Sequence, residues 1–160
     1  MVIMGIDSST NSTGWGVINT KYTGSMRLIG YGTITPKSSK DDYIDKIINI
    51  VKELNYIIED YNPEMVIIEE MNVARNMKTA RILSGLITSI EIMLRKKEYL
   101  YEKLTPSQWR KGVEIKGKTR QELKNASQIY VVKNYNEIVK EDEADAICIA
   151  EAGSFVELEG

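Results

Sequence analysis

Residues 65–68, Met-Val-Ile-Ile, form an unbroken apolar run, closed upstream by Asn62-Pro63 and downstream by Glu69-Glu70. A run this short and so bounded suits a strand buried on both faces, so the chain must supply strands beside it and helices above and below. The rest of the sequence offers both. Residues 2–7 (VIMGID) and 13–18 (TGWGVI) flank the polar SSTNS and predict a hairpin, and 27–35 (RLIGYGTIT) predict a third strand stopped by Pro36. From Asp41 to Tyr61, Ile44, Ile47, Ile48, Val51, Leu54 and Ile58 recur at helical spacing. Residues 75–97 predict a long helix striped by Ile82, Leu86, Ile90 and Met93, and 99–104 predict a fifth strand. Thr105-Pro106-Ser107-Gln108 joins an N-cap, a proline at the first helical position and a glutamine three residues after the cap, so a short helix begins there and ends at Gly112. Thr119 to Glu122 is a second capping box, opening a helix through about Tyr135, and Asp142 to Ala152 predict a last short helix. This is an α/β chain with a mixed sheet, and 160 residues leave room for a single domain.

Composition removes whole classes of chemistry. There is no histidine, and Cys148 is the one cysteine, which excludes Ser-His-Asp and Cys-His nucleophilic systems, histidine-ligated metals and internal disulfides. Cys148 itself, among alanines and isoleucines, reads as a small buried hydrophobe. No apolar stretch reaches the ~18 residues of a membrane span, and MVIMGID does not have the form of a secretory signal, so a cytoplasmic location is expected. Net charge is −2, yet residues 71–135 hold 14 Lys and Arg against 5 Asp and Glu, enough to hold a polyanion if they fold onto one face.

Four carboxylates fall at element ends. Asp7 closes the first strand, Glu69 the fourth, and Asp142 and Asp145 share one face of the last helix. Singly, each has an ordinary reading as a turn cap, a solvated side chain or a complement to the helix dipole. If the first and fourth strands are neighbours and the last helix packs over them, the four meet, and their repulsion calls for hard divalent cations. Such a site suits two ions ~3.5–4 Å apart astride a phosphodiester. Glu70 competes with Glu69, because adjacent strand residues point to opposite faces and only one can reach Asp7.

In order and spacing, GIDSSTNSTGWGVI, VIIEEMNVARN and DEADAICIA resemble the three acidic blocks of RuvC-type Holliday junction resolvases, over nearly the whole chain. The resemblance implies an RNase H-like fold with a five-stranded sheet of order 3-2-1-4-5, strand 2 antiparallel, flanked by helices. It implies a homodimeric endonuclease that cuts four-way junctions, and related forks, flaps and three-way junctions, at symmetric positions, leaving 5′-phosphate and 3′-hydroxyl ends. Asp7, Glu69, Asp142 and Asp145 match the family's metal-binding catalytic acids, with Mg²⁺ as cofactor, two ions per site, and Mn²⁺ as a substitute. Arg110 falls where the family has a lysine near the scissile phosphate, with Lys111 beside it, and Arg120 or Lys118 matches a second basic position. Asn72, Arg75 and Lys78 fall on the DNA side after the fourth strand. Asn72 stands where bacterial members lead one to expect an aromatic that stacks on junction bases, so a relaxed cleavage-sequence preference is expected. Small size and divergent loops resemble phage-encoded members, and the setting implied is the bacterial cytoplasm.

Three further features need weighing. Gly112 to Thr119 satisfies the GxxxxGK[ST] phosphate-loop pattern, but a capped helix rather than a buried strand precedes it, which argues against a nucleotide site. Trp15 and Trp109 could stack on unpaired bases, although the ordinary reading is core, above all for Trp15. For the dimer, the helix at 75–97 offers Leu83, Leu86, Ile87 and Ile90 as an interface, with its basic start turned to DNA. The rival from another class is a non-catalytic module of the same fold that binds branched DNA without cutting it.

Overall fold

The computed structural model describes residues 1–37, 42–71 and 76–156. Five strands, β1 (Val2–Asp7), β2 (Thr13–Asn19), β3 (Leu28–Ile34), β4 (Met65–Glu69) and β5 (Tyr101–Leu104), form one sheet in the order β3-β2-β1-β4-β5. β2 runs antiparallel to β1 and β3, whereas β1, β4 and β5 are mutually parallel. Order and directions are those the resemblance implies. The helices are α1 (Tyr43–Tyr61), α2 (Met77–Lys96), α3 (Pro106–Gly112), α4 (Arg120–Tyr135) and α5 (Glu141–Gly153).

β4 is buried from Met65 to Ile68, and each face of the sheet has its own core. On one face Met4, Ile6, Val17, Val66 and Ile68 pack under α1 and α2; on the other, Ile3, Ile18, Met65 and Ile67 pack under α3, α4 and α5. Both capping boxes form as their sequences predict. Thr105 and Gln108 exchange bonds of 2.9 and 3.3 Å at the start of α3, and Thr119 and Glu122 exchange bonds of 3.1 and 3.3 Å at the start of α4. α1 is capped by Asp42 and ends on Asn62 in the left-handed conformation, one residue before Pro63. Gly112 closes a helix, so the phosphate-loop pattern follows no strand here.

Three expectations are corrected. Leu86, Ile87 and Ile90 lie within the core under α1 and β4, so these three are not free to form a dimer interface, while Leu83 is half-buried against the same core. A central strand buried on both faces needs that cover from α2 itself. Ile44 and Ile48 are exposed, because α1 turns a narrower stripe, Ile47, Ile50, Leu54 and Ile58, to the sheet. The basic middle of the chain is divided. α2 is about 30 Å long, and its Arg95 bonds Tyr101 at the start of β5, at the end of the sheet opposite Asp7 and Glu69. No helix among the described residues is long and apolar enough to cross a membrane.

Candidate active site

In an open sheet with parallel strands, the edge beyond the strands' carboxyl ends is where ligands bind. Asp7 and Glu69 both stand there. Ile6 pairs with Ile68 across β1 and β4, so the next residues on the two strands lie side by side. Side chains alternate between faces. Ile6 and Ile68 enter the core under α1 and α2, which turns Asp7 and Glu69 to the face covered by α3, α4 and α5. Glu70 goes the other way and pairs with Lys103 at 3.0 Å.

The final acidic pair comes from α5. This helix lies directly on β1 and β2, and the approach is close because the strands carry glycine where it crosses. A Cβ on Gly5 would stand 2.1 Å from the Ala146 carbonyl oxygen, and one on Gly14 would stand 2.2 Å from that of Asp142. Gly14 pairs with Asp7 across the hairpin, so this contact sets the first turn of α5 against the end of β1.

Lys124 of α4 joins the pieces. Its Nζ donates to Asp145 Oδ2 and lies 3.8 Å from Asp142 Oδ1 and 4.0 Å from Asp7 Oδ2. Asp7, Asp145 and Lys124 have side chains only 13%, 4% and 14% exposed. Glu69 is held from another side, accepting a 2.7 Å bond from the indole Nε1 of the buried Trp109. The Arg110 guanidinium lies 5.0 Å over that indole ring, and its Nε is buried without a hydrogen-bond partner among the described residues.

Burial pushes the Asp7 carboxyl well above its ordinary range, and the charges of Glu69 and Asp145 push it further, against the pull of Lys124. Burial raises Glu69 too, opposed by the Trp109 hydrogen bond and the Arg110 charge. For Lys124 burial works against the charged form, but the Asp145 carboxylate outweighs it and the ammonium is held above its usual range. With four carboxylates against Lys124 and Arg110, such a site is short of positive charge. Its donors are all carboxylate oxygens, the set hard divalent cations take, and an ammonium already stands among three of them. Among the described residues no three acidic side chains are arranged as a ready coordination shell.

The structure therefore gathers Asp7, Asp142 and Asp145 around one lysine, with Glu69 beside Asp7. Arg110 is half-buried next to Glu69, Lys111, Lys118 and Arg120 are exposed, and Lys78 is exposed on the first turn of α2. Asn72 and Arg75 lie outside the described residues. Trp15 is half-buried against Tyr61, and Cys148 is buried.

Lys124 went unmarked in the sequence. A signal for it exists, since Lys124, Ser127, Val131 and Tyr135 recur at helical spacing and the last three are buried. A lysine heading an inward stripe needs a carboxylate partner. From sequence Trp109 reads as a core or stacking residue, and its donor role depends on Glu69 lying beneath it.

Residues 3–152 match the family model described as crossover junction endodeoxyribonuclease RuvC. Two similar proteins carry the same description. The one from Alkaliphilus oremlandii (strain OhILAs) is 31% identical over 166 residues, covering 99% of this chain and 98% of the relative. The one from Alkaliphilus metalliredigens (strain QYMF) is 32% identical over 167 residues, with the same coverage of 99% and 98%. Among solved structures, Thermus thermophilus RuvC in complex with Holliday junction substrate is similar at a TM-score of 0.78 and 17% identity, covering 97% of this chain and 93% of that one. At that identity the likeness is one of fold, the RNase H-like fold.

Proposed function

Since this chain belongs to the RuvC family of crossover junction endodeoxyribonucleases, which are metal-dependent nucleases, we propose that it resolves Holliday junctions and related branched DNA by paired, symmetric phosphodiester hydrolysis. Asp7, Glu69, Asp142 and Asp145 are the residues that would hold the metal, two Mg²⁺ ions per site, with Mn²⁺ as a substitute. The observation that carries this reading is the convergence of aspartates from β1 and α5 on one buried ammonium beside Glu69. These carboxylates would hold the divalent ions, which would supply polarisation of the phosphate and a water of lowered pKa, chemistry that gives 5′-phosphate and 3′-hydroxyl ends.

The chain's own residues supply orientation and charge. The Trp109 indole holds Glu69 in one direction. Arg110, half-buried with its guanidinium over the Trp109 ring, is the cation beside Glu69 that would meet a phosphate oxygen in this reading. Lys118 and Arg120 flank the Thr119 cap at the start of α4, beside the first turn of α5, Lys111 lies at the end of α3 and Lys78 on the first turn of α2, and in this reading the four contact the DNA backbone. Asn72 and Arg75, which follow Glu69 in sequence, are further DNA-binding candidates in this reading. A junction with a two-fold axis is matched by two identical sites, hence a homodimer. Its interface is the outward face of α2, where Ser84, Thr88 and Ile92 are exposed.

A labelled four-way junction incubated with the protein in Mg²⁺ and in EDTA tests the reading. Paired cuts at symmetric positions are expected with Mg²⁺ alone. Junction binding without cutting in both Mg²⁺ and Mn²⁺ would favour the non-catalytic module instead.

A further inference from the structure

Lys124 is the one basic residue among the described residues that pairs with Asp7, Asp142 or Asp145, and it reaches all three. Glu69 has other partners, Trp109 by hydrogen bond and Arg110 by charge. The lysine side chain is 14% exposed, and it leaves α4 from the inward stripe that continues through the buried Ser127, Val131 and Tyr135. It is thus built into the site from the helix rather than folded in from the surface.

An ammonium has three donors and no lone pair, so it cannot itself ligate a metal. It takes up the same carboxylate oxygens that a divalent ion needs, and two cations at that spacing repel one another. We infer that Lys124 is a resident cation of this site, which a divalent ion must displace from Asp145, so that this lysine weakens the chain's hold on metal and steadies the acidic cluster when metal is absent. The inference rests on the metal-site reading above. Its four-carbon stem lets the ammonium leave by rotation alone. Loss of the ion pair leaves Asp145 to the metal, and the same event frees one positive charge at the edge where DNA phosphates would lie.

Titrating the full chain with Mn²⁺, followed by the loss of the free-ion resonance signal, tests it on three proteins: wild type, Lys124→Met and Lys124→Arg. Lys124→Met is expected to bind Mn²⁺ roughly tenfold tighter or more than wild type. Its melting temperature in EDTA should fall below wild type and recover when Mn²⁺ is added. Lys124→Arg, which keeps the charge, should bind no tighter than wild type. General damage to the fold would weaken metal binding, so a gain in affinity is not an effect of disruption. Should Lys124→Met fail to fold without metal, Lys124→Gln carries the same expectation. Equal or weaker Mn²⁺ binding by the neutral variant overturns the inference and leaves the metal site standing. No Mn²⁺ binding by either wild type or the neutral variant overturns both.

Discussion

The indole Nε1 of Trp109 donates a 2.7 Å hydrogen bond to Glu69 Oε2 from a ring with no solvent exposure. A residue on α3 thereby orients a carboxylate at the end of β4, and the bond opposes the burial that raises the Glu69 pKa. Trp109→Phe removes the donor and leaves a buried carboxylate oxygen unpaired. A loss of about 1–3 kcal/mol in urea unfolding is expected. The acid limb of the pH–rate profile for junction cutting should move to higher pH, because the deleted bond favoured the ionised form. An unmoved limb would mean that the indole only fills space.

Glu69 and Glu70 separate by face. Glu69→Gln should abolish cutting while leaving junction affinity within a few-fold of wild type, since it alters the acidic cluster and no basic residue. Glu70→Gln loses a pair with Lys103 in which both side chains are about one-third exposed, and Lys103 keeps Glu91 at 3.4 Å. The cost should be about 0–1 kcal/mol, with cutting little changed. Cleavage rates of the two variants on one junction decide it, and the reverse pattern would move the assignment to Glu70.

Gly14→Ala sets a methyl group 2.2 Å from the Asp142 carbonyl oxygen. Neither β2 nor α5 can yield there without moving Asp142 and Asp145 away from Asp7. The substitution should cost on the order of 1–3 kcal/mol by thermal or urea unfolding. Cutting should fall by more than that instability explains at a temperature where the variant is fully folded. Normal activity in a folded variant would show that the seating of α5 does not position the pair.

The raised Asp7 carboxyl has a consequence for stability in EDTA. An acid whose pKa is higher folded than unfolded binds its proton more tightly in the native state. Its contribution is therefore greatest below the ordinary value of 3.8 and is lost as pH climbs through the raised folded value, and Glu69 acts in the same direction from 4.5. Melting temperature in EDTA, compared between wild type and Asp7→Asn, should show wild type losing ground to the variant as pH rises above this onset. Mg²⁺ should reverse the order at neutral pH by favouring the ionised carboxylate. A gap independent of pH would mean that neither burial nor the charged neighbours disfavour the ionised form of Asp7. In a junction assay with Mg²⁺, Asp7→Asn should bind but not cut.

Local chemistry made much of the architecture legible. The capping boxes at Thr105 and Thr119 place α3 and α4 correctly, since a cap satisfies the amides of its own first turn and needs no distant partner. The run from Met65 to Ile68 announces a strand buried on both faces. Asp7, Glu69, Asp142 and Asp145 are visible as acids at element ends, and the family resemblance selects them from the chain's 23. An apolar stripe does not name its neighbour. Leu86, Ile87 and Ile90 have helical spacing whether they meet a partner or their own sheet, and periodicity does not say which.

Element types, the two capped helices and the candidate acids are legible in the linear chain, because each depends on residues a few positions apart. The physical reason that Glu69 rather than Glu70 faces Asp7 lies in the tertiary structure, in the register that sets Ile6 against Ile68. Tertiary structure also decided how near α5 comes, through missing side chains on two strands, and that Lys124 and Trp109, 117 and 102 positions after Asp7, serve the site. Charge–charge and hydrogen-bond partners of this kind are chosen by distance in space, and a linear chain carries that distance only once its strands are paired and its helices packed.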